Sequence, residues 1–227
     1  MKFAWLKWSV LPVAVFAAGS VALAQDHPAP PAQSSSQSSS STQTAAPATP
    51  EKPKPTVAQR KENQQDRIAN GVKSGQLTPG ETSKLETKEA AINGETKADR
   101  AANGGKLTSA EKAKINNQQN QVSKDIYKDK HNANTAHYGN NKVGQRRENQ
   151  QDRVAQGIKS GQLTPGETAK LENQQKGINQ QVAADRKANG GKLTTGEKKQ
   201  VNHEQNAASK SIYSKKHNSK TVPPAKP

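Results

Sequence analysis

The sequence predicts an all-α fold of two tandem three-helix repeats, behind a signal peptide and a disordered linker, on three observations. A G-x-L-T-x-x-E unit occurs four times, at residues 75–81, 105–111, 161–167 and 191–197. Residues 59–132 recur without a gap as 145–218, an offset of 86, with 47 of 74 positions identical, which is an internal duplication. The apolar residues are spaced for helices: Leu85 and Ile92, Leu171 with Ile178 and Val182, and Ile115 with Val122 and Ile126 fall seven and four apart.

Taken in order, residues 1–24 carry Lys2 and Lys7, an apolar run over 10–23, and Ala22-Leu23-Ala24 before Gln25. This pattern is that of a cleaved secretory signal peptide. The apolar run contains Pro12 and Gly19 and falls short of the roughly 20 residues that span a bilayer, so no membrane span is expected after cleavage. No cysteine follows it, which removes a lipoprotein anchor. Residues 25–58 are Ser, Gln, Pro, Ala and Thr almost throughout. Such a stretch cannot offset the entropy of ordering, so it reads as a disordered tether.

Helical repeat 1 spans 59–132 and repeat 2 spans 145–218. In each G-x-L-T-x-x-E unit the glycine closes one helix, the Thr caps the next, and the Glu three residues on completes a capping box. Pro79 and Pro165 occupy a first helical position, where a missing N–H costs nothing. The expected helices run over about 57–74, 79–102 and 109–130, with equivalents 86 residues later. Residues 133–144 are a linker rich in Asn and Gly, and residues 219–227 an extended, frayed tail.

Each copy holds ten sizeable apolar side chains on narrow stripes between broad faces of Gln, Asn, Lys and Glu. That is a thin core, and Asn70-Gly71, Asn93-Gly94 and Asn103-Gly104 are expected to loosen it. One copy alone is therefore expected to be weakly folded. Every Phe and Trp lies within the first 16 residues, leaving Tyr127, Tyr138 and Tyr213. Cysteine is absent, which excludes disulfides, thiolate metal sites and Cys nucleophiles.

The formal charge is +16, and loss of Lys2 and Lys7 with the leader leaves +14. Lys210, Lys215, Lys216 and Lys220 form a basic end with no acid after Glu204, and Arg60, Arg146 and Arg147 open the copies. This surface is a candidate for polyanion binding through counterion release; charge of this kind also solvates helices that have little apolar surface. Tyr127 with His131, and Tyr213 with His217, lie four apart on one helical face and read as helix-end packing. No H-E-x-x-H, G-x-S-x-G or phosphate-loop motif occurs, and a thin core builds no water-excluding pocket, so an enzyme is not expected and no cofactor is implied.

The unit also resembles the second half of an EF-hand loop. Gly75, Leu77 and Glu81 match its sixth, eighth and twelfth positions, with Asn70 at the first and Ser74 at the fifth; Ser160 and Glu167 are counterparts in the second copy. The resemblance breaks at Val72 in the third position, and at Arg100, Arg186, Gly104 and Gly190 in the other two loops. One carboxylate per loop in a basic protein favours helix caps over calcium ligands. More broadly, the chain resembles secreted bacterial proteins built from G-x-L-T-x-x-E helix-turn-helix units followed by S-x-x-I-Y-x-x-K-H-N, here residues 123–132 and 209–218. That resemblance implies an exported helical protein, secreted or periplasmic, with no activity attached. The expected function is that of an interaction or structural protein whose partner is an anionic polymer of the cell envelope. A degenerate EF-hand-like calcium-responsive module is the alternative.

Overall fold

Six helices account for the regular structure of residues 53–222, the part of the chain that the computed structural model describes: α1 (Val57–Lys73), α2 (Pro79–Ala102), α3 (Ser109–Lys130), α4 (Lys142–Lys159), α5 (Pro165–Ala188) and α6 (Thr195–Lys216). The leader, all but the last residues of the tether, and the tail beyond Val222 lie outside the described residues. Among those described there is no strand, and no helix is long and apolar enough to cross a membrane.

Helix starts are set locally. Thr78, Thr108, Thr164 and Thr194 each accept from the N–H of the Glu three residues on, whose carboxylate accepts in turn from the Thr N–H. Two orphan donors are satisfied reciprocally at each start. The same box forms at α1 from Thr56 and Gln59, a T-x-x-Q pattern as readable as the four T-x-x-E units. At α4, Asn141 caps through Gly144 N–H at 3.1 Å.

Helix ends depend on two glycines with different tasks. Gly75 has φ +71°, in the left-handed region that side chains avoid. Gly71 lies inside α1 and was expected to loosen it, but a Cβ there would sit 2.7 Å from Cγ and Cδ1 of Leu77. The missing side chain makes room for Leu77, which is fully buried and donates its N–H to Gly71 C=O at 3.0 Å. Gly71 is therefore a close-packing residue, and Gly157 meets Leu163 in the same way at 2.6 Å.

The helices pack across the duplication. α2 lies along α5 and α1 along α4, while α3 covers α1 and α2 and α6 covers α4 and α5. α2 and α5 run antiparallel: Gly80 faces Lys176, Gly166 faces Ala90, and Ser83 Oγ donates to Ala169 C=O at 3.0 Å where the two cross. One apolar cluster accordingly draws on both halves, joining Ile68, Leu77, Leu85 and Ile126 to Val154, Leu163, Leu171 and Ile212. Burial of this shared surface is the main stabilising term available to so thin a core.

The broad polar faces expected from the sequence are not all wet. Gln64, Gln65, Gln119, Gln150, Gln151, Gln175 and Gln205 are buried. They strap helices together: Gln64 Nε2 donates to Gln119 C=O at 2.6 Å and to Ser123 Oγ at 2.9 Å, and Gln150 does the same to Gln205 and Ser209 at 2.7 and 2.8 Å. Gln119 and Gln205 then donate to the carbonyls of Val57 and Val143, each at 2.9 Å. A glutamine packs its aliphatic stem as an apolar residue would and donates its amide N–H to a buried or half-buried carbonyl of a neighbouring helix.

The linker and tail are held as well. Ala136 N–H donates to Gly75 C=O, and Val222 N–H to Gly161 C=O, both at 2.8 Å. Val222, within the stretch 219–227, is thereby tied to the turn after α4.

Candidate functional site

The six residues of S-x-x-I-Y-x-x-K-H-N each find a structural task. Ser123 and Ser209 accept the Gln64 and Gln150 amides, and their carbonyls accept from Arg67 and Arg153 at 3.0 and 3.2 Å. Ile126 and Ile212 are fully buried. His131 and His217 stack on Tyr127 and Tyr213 with ring centroids 4.2 Å apart, and each places Nδ1 2.7 Å from that tyrosine's carbonyl oxygen. The side chains of Lys130 and Lys216 lie over Gly71 and Gly157, at 3.4 and 3.3 Å from an added Cβ. Asn132 and Asn218 donate to Glu81 and Glu167 at 2.8 and 2.6 Å.

Those last contacts bear on calcium. Glu81 Oε2 accepts from the Thr78 N–H and hydroxyl at 2.9 and 2.7 Å, and Oε1 from Asn132 and Asn134 at 2.8 and 3.1 Å. Burial pushes the Glu81 carboxyl up, and these donors together outweigh it and hold the group below the usual carboxylate range. Glu167 is held down likewise by Asn218 and Thr164 against its burial. Asn70 is exposed, while Ser74 and Ser160 turn their hydroxyls to Gly71 and Gly157 carbonyls and to Gln76 and Gln162. Both oxygens of each candidate carboxylate thus already accept protein donors. Among the described residues no group of three or more His, Cys, Asp or Glu is placed to hold a metal ion.

The four candidate lysines separate. Lys210 and Lys220 are exposed. Lys215 lies near Glu167, and Lys216 donates to Gln156 Oε1 at 3.0 Å, with its pKa pushed down by burial and then by the nearby Arg153. Two of the four are free of such ties.

Two features were not expected from the sequence. The first is a polar seam where α1, α2, α4 and α5 meet. Gln65 Nε2 donates to Glu86 Oε2, and Gln151 Nε2 to Glu172 Oε2, both at 3.1 Å. Glu86, Glu89 and Glu172 are fully buried. Burial raises all three carboxyls, Glu86 well above its ordinary range, Glu89 to about 7 and Glu172 to about 8; the field of Lys61 opposes this at Glu86 and Glu89 without overcoming it. Glu86 Oε1, Gln65 Oε1, Glu172 Oε1 and Gln151 Oε1 have no donor. A neutral carboxyl is easier to bury with so few donors than a carboxylate, so burial here favours the protonated form.

The second is a cleft of about 1020 Å³ between the start of α1, the second half of α2, α3 and the turn after α4. Val57, Ile92 and Leu107 give it an apolar wall. Lys61, Lys97, Arg100, Lys112 and Lys159 bring five cations to it, against Glu62 and Asp66. Burial pushes the Lys61 pKa down, opposed by the nearby Glu89 and Glu86.

The two copies also differ in charge. Residues 59–132 and 145–218 each carry 14 Lys and Arg, but the first has ten Asp and Glu and the second seven. Ion pairs Lys88–Asp125 and Lys114–Glu95, at 2.7 and 2.6 Å, belong to the first copy; the equivalent positions are Gln174, Ser211, Gln200 and Gln181. Comparison with known protein families, with curated proteins and with solved structures returned no match.

Proposed function

We propose that the chain is an exported, non-enzymatic, basic helical protein of two tandem three-helix repeats behind a signal peptide and a Ser/Gln/Pro-rich tether. It works by binding an anionic polymer of the cell envelope, in the periplasm or outside the cell. The observation that carries this reading is the unequal charge of the copies. With the same number of cations, the second copy has replaced acids that the first uses in ion pairs; Lys210 within it and Lys220 just after it are exposed, and no acid follows Glu204. Exposed cations at and beyond the end of α6 release counterions from a polyanion on contact.

The test is retention of residues 25–227 on immobilised heparin against salt. Lys210→Glu with Lys220→Glu should elute earlier than Lys106→Glu with Lys124→Glu, a charge-matched pair on exposed sites of the first copy. Equal shifts, or retention insensitive to salt, would count against a site on the second copy. The calcium-responsive alternative requires Glu81 and Glu167 to release the donors that cap α2 and α5. A melt that rises by several degrees between chelator and millimolar calcium would select it.

A further inference from the structure

Two large hydrophobic side chains are left exposed among the described residues, Tyr127 at 62% and Tyr213 at 61%. They occupy the same position in the two copies. Each ring has a histidine stacked on one side, with centroids 4.2 Å apart, and each histidine places Nδ1 2.7 Å from the tyrosine carbonyl oxygen. A carbonyl oxygen only accepts, so Nδ1 carries the proton there and Nε2 of the neutral ring is an acceptor. Among the described residues neither Nε2 nor the phenol oxygen has a protein partner in either copy.

Seven of the ten residues in 123–132 recur in 209–218. Packing accounts for four of them: Ser123, Ile126, Lys130 and Asn132, with their counterparts, hold or cover neighbouring helices. The other three are Lys124, Tyr127 and His131, matched by Lys210, Tyr213 and His217, and all six are exposed. Spaced three and four apart, each trio lies on one strip of its helix. What differs is the charge around the strip. Residues 123–132 hold three lysines and two aspartates, whereas residues 209–218 hold three lysines, with Ser211 and Lys215 at the aspartate positions. The strip on α6 therefore sets an aromatic plate beside a cation in a segment that has no acid, while the strip on α3 carries the same plate beside Asp125 and Asp129.

We propose that Lys210, Tyr213 and His217 form a subsite for one sugar ring of an acidic polysaccharide. This names the class of polymer in the reading above and rests on that reading. The C–H face of the sugar lies on the open face of Tyr213, an apolar plate with a polar tip. A hydroxyl at the sugar's edge donates to His217 Nε2, and the carboxylate or sulfate that it carries meets Lys210. A ringless polyanion such as polyphosphate can use only the lysine, since it has nothing to stack and its oxygens accept without donating. Single-stranded nucleic acid takes successive bases on several aromatics along one groove. Here one plate stands on α6 and the other on α3, and those two helices do not touch.

The probes are a heparin oligosaccharide, a polyphosphate and an oligothymidylate of matched charge, each titrated calorimetrically into residues 25–227 at low salt. Tyr213→Ala removes the plate and leaves the charge alone. It should weaken the oligosaccharide about fivefold or more, equivalent to about 1 kcal/mol, and leave the other two within about twofold. Tyr127→Ala, the same truncation beside Asp125 and Asp129, should leave all three within about twofold. Lys210→Glu should weaken all three alike, which separates attraction by charge from stacking on the ring. A second readout avoids the truncation. Residues 25–227 contain three tyrosines and no tryptophan, so Tyr127→Phe with Tyr138→Phe leaves Tyr213 as the one tyrosine emitter. Its fluorescence should change saturably with the oligosaccharide and not with polyphosphate, and it decides the matter if circular dichroism shows Tyr213→Ala unfolded. Oligosaccharide binding indifferent to Tyr213→Ala, or an equal loss for polyphosphate or in Tyr127→Ala, overturns the subsite and leaves the polyanion reading standing. An equal loss for oligothymidylate would assign the plate to nucleobases and overturn the subsite as well. If none of the three probes binds, the polyanion reading itself fails and the subsite with it.

Discussion

Glu89 and Gln175 occupy equivalent positions in the two halves, and the fold treats them differently. Gln175 is buried and donates to Gln150 Oε1 at 3.1 Å. Glu89 is as deeply buried, both its oxygens lack a donor, and the oxygen of Gln64, the counterpart of Gln150, lacks one as well. At this position the second half gives the glutamine oxygen an amide donor, while the first keeps an acid that can donate only after taking up a proton.

Where the halves agree, the largest effects should be equal. Leu77 and Leu163 are fully buried against Gly71 and Gly157, so Leu77→Ala and Leu163→Ala should each cost about 2–5 kcal/mol in denaturant unfolding. Gly71→Ala and Gly157→Ala should each cost about 1–3 kcal/mol by overpacking, although alanine is the better helix former. A clear inequality within either pair would show that the halves are packed differently.

Where they differ, pH separates them. A carboxyl whose folded pKa lies above its unfolded value contributes stability that is complete below about pH 4.5 and lost as pH climbs through the folded value, about 7 for Glu89 and about 8 for Glu172. Glu81 and Glu167 are shifted down and behave oppositely, losing their contribution on acidification. The melting temperature should therefore peak on the mildly acidic side and fall toward pH 8.5. Glu89→Gln, which supplies the donor that Gln175 supplies in the other half, should stabilise by about 1–3 kcal/mol at pH 8.5 and by little at pH 5. A loss of stability at pH 8.5 would mean that the acid has a partner the seam does not show.

Smaller effects follow at the crossing and the surface. Ser83→Ala, which copies Ala169 and leaves that residue's carbonyl without the Ser83 hydroxyl, should cost about 1 kcal/mol. Lys88→Gln, which copies Gln174, breaks an exposed pair with Asp125 and should cost less than about 1 kcal/mol, less still at high salt.

Much of the fold is local and so readable in sequence. A capping box needs only Thr and Glu three apart, and helix limits fall within a residue of where those pairs place them. The buried glutamines are a different case. Gln64 and Gln65 precede Ile68 by four and three residues, which puts them beside the apolar stripe, yet an amide facing water and an amide strapping two helices are the same letters. The cleft was further from reach. It depends on α1 lying along α4, which a periodicity in one helix does not record. The charge run makes Lys216 a polyanion-binding candidate; its bond to Gln156 depends on α6 lying against α4 and is not in that run.

The two copies share an apolar cluster, since α2 pairs with α5 and α1 with α4 across the duplication, while a second cluster around Val182 and Val201 belongs to the second copy alone. The most direct test is a thermal melt by circular dichroism of residues 53–140 and of residues 53–222 side by side. The longer chain should unfold in one sharp transition while the single copy, deprived of the surface that α4 and α5 cover, gives a broad melt or a weakly helical spectrum. A single copy that melts as sharply and at the same temperature as the pair would contradict the shared core.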